Sequence, residues 1–293
     1  MQIIADKSFL RQQILQWRLE GKVIAFIPTR GNIHQGHLAL VREAAEQADI
    51  VVVSIFNHAL QEKREELDSA RILEQDIAAL REHGATLAYT PSADEIQPIN
   101  VDSQLYVEVP LLSTNLFKTT SSHPKAQQIF ATSICRLLNI VQPDVIYFGE
   151  NNIQRLNIVR KLINDFAFAV KVVSVATVRE IDGLVASRHN QALTVDERQR
   201  APVLAKTLRW ASRQIRHGRR DFNELLLDCK DQLRAAGLEP DEIFIRDAET
   251  LQLTHEKTEK LLIGASVKLS AANLIDSLVV DIAPSTGKYE EEV

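Results

Sequence analysis

The chain has 293 residues, 45% of them apolar and 25% charged, enough for one large or two modest domains with a proper core. A formal charge of −5 excludes nucleic acid as the main partner, because a phosphate backbone needs a basic face, and no apolar run approaches the ~18 residues of a membrane span. Cys135 and Cys229 stand apart without redox or metal-ligand spacing, and the opening MQIIADKSFLRQQ carries acid and amide where a signal peptide is apolar, so the cytoplasm is the expected compartment.

From Ile3 to about Val175, short β-branched runs alternate with amphipathic stretches. The pattern predicts strands at Val23–Ile27, Ile50–Phe56, Thr86–Tyr89, Val145–Phe148 and Val170–Val175. It predicts helices at Leu38–Gln47, Ile72–Glu82, Phe130–Ile140 and Gln154–Asp165. The strands are apolar without strict alternation, which implies a sheet covered on both faces, and their interleaving with helices implies parallel order. The fold class is α/β, a Rossmann-like doubly wound parallel sheet. Ligands of such sheets bind beyond the carboxyl ends of the strands, which directs attention to Pro28–His37, Asn57–Gln61 and Gly149–Arg155.

After Thr177 the character changes. Thr194-Val195-Asp196-Glu197 is a capping box opening a helix that carries Leu204, Leu208 and Ala211. The cluster Arg213, Arg216, Arg219, Arg220 reads as a solvated helix end. Short strand-like runs follow at Glu242–Arg246, Lys260–Ile263 and Leu278–Ile282, separated by charged turns. The expected division is a Rossmann-like domain over residues 1–176 and a smaller α+β lid domain over 177–293.

The decapeptide Pro28–His37 follows a strand and opens a helix. Pro28 ends the strand and Gly31 supplies the backbone freedom of a tight turn. His34 and His37 lie three apart at the helix start, so both rings can face one ligand. A helix N-terminus offers free N–H groups and a partial positive charge, which suits phosphate, and Gly36 lets that backbone approach a bulky ligand. The plainer reading of the same residues is a helix-capping turn with two surface histidines.

H-x-G-H after the first long strand resembles the signature of adenylate-forming and nucleotidyl-transferring enzymes, class I aminoacyl-tRNA synthetases included. The wider likeness is to the pantothenate synthetase family and covers nearly the whole chain. Val23–Val41 is similar to that family's V-A-F-V-P-T-M-G-x-L-H-x-G-H-L-x-L-V. Ser54-Ile55-Phe56 with Leu60-Gln61 resembles S-I-F-V-N-P-L-Q, and Tyr106–Pro110 with Leu112-Ser113-Thr114 resembles Y-V-E-V-P-x-L-S-T. Asn139–Asp144, Phe148-Gly149-Glu150, Thr177–Glu180 and Asp182-Gly183-Leu184 complete the match. A tRNA synthetase is excluded by the lack of a K-M-S-K-S-like loop, an anticodon domain and a basic surface.

The resemblance implies a two-step ligation. ATP, accompanied by Mg²⁺, and an acid (pantoate in the family) give an acyl-adenylate and pyrophosphate; an amine (β-alanine in the family) then displaces AMP to form an amide. It makes the first domain the ATP- and acid-binding one and implies a homodimer through it. By the same analogy His34 and His37 touch the phosphates, with Arg188 as a third catalytic group. Thr29, Arg30, Gly36, Gly149, Asn151, Asn152, Val178, Ser187 and His189 line the nucleotide, and Arg30, His58, Gln61 and Arg155 hold the acid.

The departures from the family pattern fall on the site. Arg30 stands where the family has Met, His58-Ala59 replaces Asn-Pro, Asn151-Asn152 replaces Lys-Asp and Arg155 replaces Gln. Ala186-Ser187-Arg188-His189 replaces x-S-S-R, keeping one serine and shifting the cation, and D-R-Y-P-R shortens to Asp68–Arg71. A pocket built for pantoate's gem-dimethyl group should not hold an unpaired guanidinium. The leading expectation is therefore an amide-forming ligase with an altered acid. A true pantoate–β-alanine ligase with compensated residues is second, and a silent nucleotide-binding protein third.

Overall fold

The computed structural model describes residues 1–56, 66–96, 105–110, 112, 116–117, 125–187, 190, 192–255, 258–270 and 273–282, with the backbone alone at 66–69 and 93–94. These form two compact units, Met1–Ala192 and Leu193–Val293. In the first, the elements run β1 (Gln2–Ile4), α1 (Lys7–Leu19), β2 (Ile24–Thr29), α2 (Gln35–Gln47), β3 (Ile50–Ile55), α3 (Glu66–Glu82), β4 (Leu87–Tyr89), α4 (Ala93–Ile96), α5 (Ala126–Val141), β5 (Val145–Gly149), α6 (Ile153–Asp165) and β6 (Lys171–Val175). Among the described residues the strands form one sheet in the order β1-β4-β3-β2-β5-β6, every neighbour parallel.

Ile24, Ala25, Phe26 and Ile27 are all fully buried, as are Val52 and Val53 on β3. Side chains on both faces of these strands are out of water, which is what the unbroken apolar runs of the sequence anticipate. On one face Leu38, Val41 and Ala44 of α2 pack with Ala25, Ile27, Val51 and Val53. The five predicted strands and four predicted helices all form, with the helices starting earlier than their apolar stripes. Three elements lie outside that reading, the four-residue α4 among them. Three-residue β1 is too short to show a period, whereas α1 carries its signal openly: Asp6 caps it, and Leu10, Ile14 and Trp17 make its buried stripe.

Strand order reverses between β2 and β5, which are neighbours through Ala25↔Val145 and Phe26↔Ile146. Chain leaving β2 and chain leaving β5 therefore turn away in opposite directions, opening a crevice at the carboxyl ends of both.

The second unit contains α7 (Val195–Arg200), α8 (Pro202–Arg216), α9 (Phe222–Ala235) and an antiparallel sheet β7-β8-β9 of Glu239–Asp247, Lys260–Lys268 and Asn273–Asp281. It is the smaller α+β unit the sequence implies. The helix expected to run from the capping box through Leu204 is two helices, because Pro202 has no N–H to continue the ladder and starts α8 afresh. The strands outrun their apolar cores, since Gly264, Ala265 and Ser266 pair with Phe244, Ile243 and Glu242 as well as any branched residue would. The arginine cluster closes the end of α8: Arg219 pairs with Asp221 and Asp228, and Arg220 donates to the carbonyl of Ile215.

The division between the units falls later than residue 176. Ala186 N–H donates to Val178 O (2.9 Å) and Glu180 N–H to Leu184 O (2.8 Å), so residues 178–186 fold on themselves within the first unit. Among the described residues no helix is long and apolar enough to cross a membrane.

Glu197 is the hub of the second unit's first turn. It accepts from Thr194 N–H at 2.9 Å and from Ser270 N–H and Oγ–H at 2.8 and 2.7 Å. These donors hold its carboxyl down from 4.5 to about 2, the Thr194 amide contributing most. A carboxyl depressed on folding contributes stability that is complete above 4.5 and is lost as pH falls through about 2. Denaturant melts of Glu197→Gln should show lower stability at neutral pH and a shallower loss between those two pH values. Thr194→Ala should cost about 1 kcal/mol as a lost cap. Acid limbs that superimpose on wild type would refute the assignment.

Candidate active site

The site is built first by the way β2 passes into α2. Thr29 closes the strand with its hydroxyl inside the protein, donating to Ser54 O at 2.7 Å and accepting from Gly31 N–H at 3.3 Å. Gly31 and Asn32 then take left-handed backbone angles, φ 73° and 57°. A Cβ on Gly31 would also meet Asp76 Oδ2 and Ile55 Cγ2, each at 3.2 Å, so glycine is required twice over. His34 follows in extended geometry as the N-cap of α2.

His34 and His37 form a reciprocal capping box. His34 Nδ1 accepts from Gly36 N–H at 3.1 Å, and His37 Nδ1 accepts from His34 N–H at 3.4 Å. The ring centroids are 4.0 Å apart and tilted by 39°. An imidazole nitrogen that accepts a hydrogen bond carries no proton, so both neutral rings hold theirs on Nε2. The helix start thus presents two Nε2–H donors. The backbone amides of His34 and Gly36, which the sequence alone would leave for an anion, are taken by the imidazoles. The plainer capping reading and the functional one are the same structure. Gly36 is needed because a Cβ there would stand 2.9 Å from His34 Cε1 and 3.1 Å from its Nδ1.

At the end of neighbouring β5, Gly149 leads into a single 3-10 turn, Glu150–Asn152, and then α6. Among the described residues a Cβ at Gly149 would meet nothing within 4 Å, and its φ of −78° suits any residue. The edge is open. Asn152 is occupied structurally, its side chain capping α6 by accepting from Arg155 N–H at 3.1 Å. Arg155 lays its guanidinium over the Phe130 ring, 4.8 Å from the centroid, and Phe148 braces that ring edge-on at 6.3 Å. Burial, then the like charge of Arg30, pushes Arg155 down to about 10, so it remains a cation at neutral pH. Arg30 itself is exposed.

A third segment joins these two. Gly149 is in register with Val175 at the end of β6, Val178 bonds back to Ala186, and Ala186 O lies 4.0 Å from where a Gly36 Cβ would be. Val178 and Ser187, both half-buried, are thereby carried to the carboxyl ends of β2 and β5. The described candidates, from Thr29 to Ser187, lie at the ends of β2, β5 and β6 or in the segments that follow them. His58, Gln61, Arg188 and His189 lie outside the described residues.

Three residues that the sequence reading passed over shape this rim. Phe130 supplies the surface under Arg155. Gln154, buried, donates to Leu112 O at 2.8 Å and so ties a distant segment to α6. Asp76 of α3 accepts from two amides of the β2–α2 turn. Asp76 does leave a trace in sequence: an acid on the apolar side of a helix, between Leu73 and Leu80.

Comparison with known proteins finds relatives over nearly the whole chain. Residues 2–279 match the family described as pantoate-beta-alanine ligase. A pantothenate synthetase of Photobacterium profundum is 49% identical over 293 residues, 99% of each chain. One from Vibrio cholerae is 47% identical over 294 residues, covering both chains in full. The solved pantoate-beta-alanine ligase of Thermus thermophilus has a TM-score of 0.80 and 33% identity over 95% of this chain and 99% of its own.

The fit of Gly36 beneath the His34 ring gives a direct check. Gly36→Ala should displace that ring, cost about 1 kcal/mol as a disturbed cap, and weaken ATP binding in calorimetric titration. Wild-type melting together with wild-type ATP affinity would show that the ring does not need the space.

Proposed function

The chain belongs to the pantoate–beta-alanine ligase family, ATP-dependent ligases that form an amide and release AMP and pyrophosphate, and from that premise we propose that its own acid is pantoate and its amine β-alanine. The observation that carries this reading is the imidazole pair at the β2–β5 crevice, ring centroids 4.0 Å apart, in a chain 49% identical from end to end to a pantothenate synthetase.

In the first step a pantoate carboxylate oxygen attacks the α-phosphorus of ATP. The bond to the bridging oxygen breaks and pyrophosphate leaves. His34 and His37 donate from Nε2 to phosphate oxygens as charge builds on them, which is positioning and electrostatic work with no covalent step on the enzyme. In the second step the neutral amine of β-alanine attacks the acyl carbon, AMP departs, and the amine loses a proton. Gly149 and Val178 border the adenine and ribose, with Gly149 allowing close approach. By the family resemblance Asn151, Ser187, Arg188 and His189 would serve the phosphates, and His58 and Gln61 the acid. Thr29 and Asn152 contribute through the turn and the helix cap that their side chains already hold. Mg²⁺ would accompany ATP and offset the charge of its phosphates; the carboxylate beside the turn, Asp76, has both oxygens on backbone amides.

The altered acid expected from Arg30 and Arg155 finds no support. Stacking on Phe130 gives Arg155 a partner in the protein, and Arg30 is exposed, so neither demands an extra anionic group on the substrate. The family's missing lysine is offset more simply if these two guanidinium groups face the triphosphate. A homodimer through the first unit and a cytoplasmic location complete the proposal.

The test is ATP–pyrophosphate exchange by the full chain. Exchange should depend on pantoate, fall by about 10²- to 10³-fold to a measurable residue in His37→Ala, and be followed by AMP release on adding β-alanine. Exchange with other acids but none with pantoate would reject the substrate. Gly149→Ala should melt like wild type yet raise KM for ATP by about tenfold, the order of a methyl forced into a filled site. An unchanged KM would remove Gly149 from the nucleotide's surroundings.

A further inference from the structure

Asp76 sits on α3, a different element from the β2–α2 turn that leads to the histidines, and is only 4% exposed. Its Oδ2 accepts from Asn32 N–H at 2.6 Å and its Oδ1 from Ile33 N–H at 2.7 Å. Burial pushes this carboxyl above its ordinary range while the two amides pull it back. A charge-bearing group sunk this deep needs compensation, and here the compensation comes entirely from one short piece of backbone.

That piece of backbone is the one that aims the histidines. Gly31 and Asn32 occupy left-handed angles in succession, and for Asn32 that conformation costs energy which nearby bonds must offset. Ile33 is the last residue before His34. From there every link depends on the one before it: His34 must stand over Gly36 for its Nδ1 to accept that amide, and its own N–H must point at His37 Nδ1. A shift of the turn by a fraction of an ångström opens both bonds. Once Nδ1 no longer accepts, these two bonds no longer bias the proton toward Nε2.

We infer that Asp76 is a positioning residue of the adenylation site, gripping the Asn32 and Ile33 amides so that both imidazoles keep the orientation and Nε2–H tautomer with which they meet phosphate. The inference rests on the function proposed above for its kinetic consequence, and on geometry alone for its structural one. It also explains why the turn tolerates two left-handed residues: the carboxylate holds them from outside the loop.

The experiment uses the full chain with Asp76→Asn, which keeps the shape but sets an NH₂ against one of the two amides. Pyrophosphate exchange should lose about 10- to 100-fold in kcat with little change in KM for ATP, the cost of a small misplacement at reacting distance. In the His37→Ala background the same substitution should cost far less, because both changes act on one unit. Long-range nitrogen–proton NMR of the imidazoles should show Nε2–H in wild type and mixed tautomers in Asp76→Asn. Asp76→Glu keeps a buried acceptor carboxylate displaced by one methylene; it should show the same kcat loss and serves if the asparagine variant does not fold. Full additivity with His37→Ala, or unchanged tautomers with wild-type kcat in the folded variant, would overturn the inference. Should pantoate support no exchange, the substrate reading fails by itself, and the tautomer spectra still decide the role of Asp76.

Discussion

An α-helix cannot begin without something to take its first amides, and at α2 that duty falls on the two residues proposed to carry the chemistry. His34 accepts from the helix start and His37 accepts from His34, so the cap and the donor pair are one object. Much of the surrounding structure follows. Gly36 is small because the His34 ring lies on it, and Gly31 because Asp76 and Ile55 crowd it. The imidazoles hold their protons on Nε2 because the helix uses their Nδ1 atoms.

The sheet decides what this cap faces. With β2 paired to β5, the turn after Thr29 and the turn after Gly149 lie at the same end of adjacent strands. With β5 paired to β6, the chain beyond Val175 comes back over them as the Val178–Ala186 loop. Donors come from β2 and open backbone from β5, and the third segment closes the rim.

Arg155 shows how a cation unusual for the family is accommodated. Its guanidinium lies on Phe130, which Phe148 holds edge-on, so the charge has an aromatic face beneath it. Its Nε has no hydrogen-bond partner among the described residues. A substitution that looks intolerable in an apolar acid pocket becomes ordinary once that stacking surface is known. The case for an altered substrate rested on the substitution alone.

Periodicity was enough to place the parallel sheet, because strands buried on both faces must be apolar throughout, and β2 and β3 are. The H-x-G-H turn was legible for a related reason: strand, glycine, paired histidines and helix start are all local, and local spacing survives in sequence. Thr194 and Glu197 were likewise readable as a cap, being three residues apart. What sequence could not supply is contact between residues distant along the chain. That Asp76 reaches Asn32 and Ile33, that Phe130 underlies Arg155, that Ala186 lies against Gly36 and that Ser270 completes Glu197 are consequences of packing. The break at Pro202 was visible and still misjudged, since a proline can start a helix as readily as it ends one. Local propensity determined which pieces form; only the tertiary fold decided which side chains those pieces bring together, because no period or motif records a distance across the sheet.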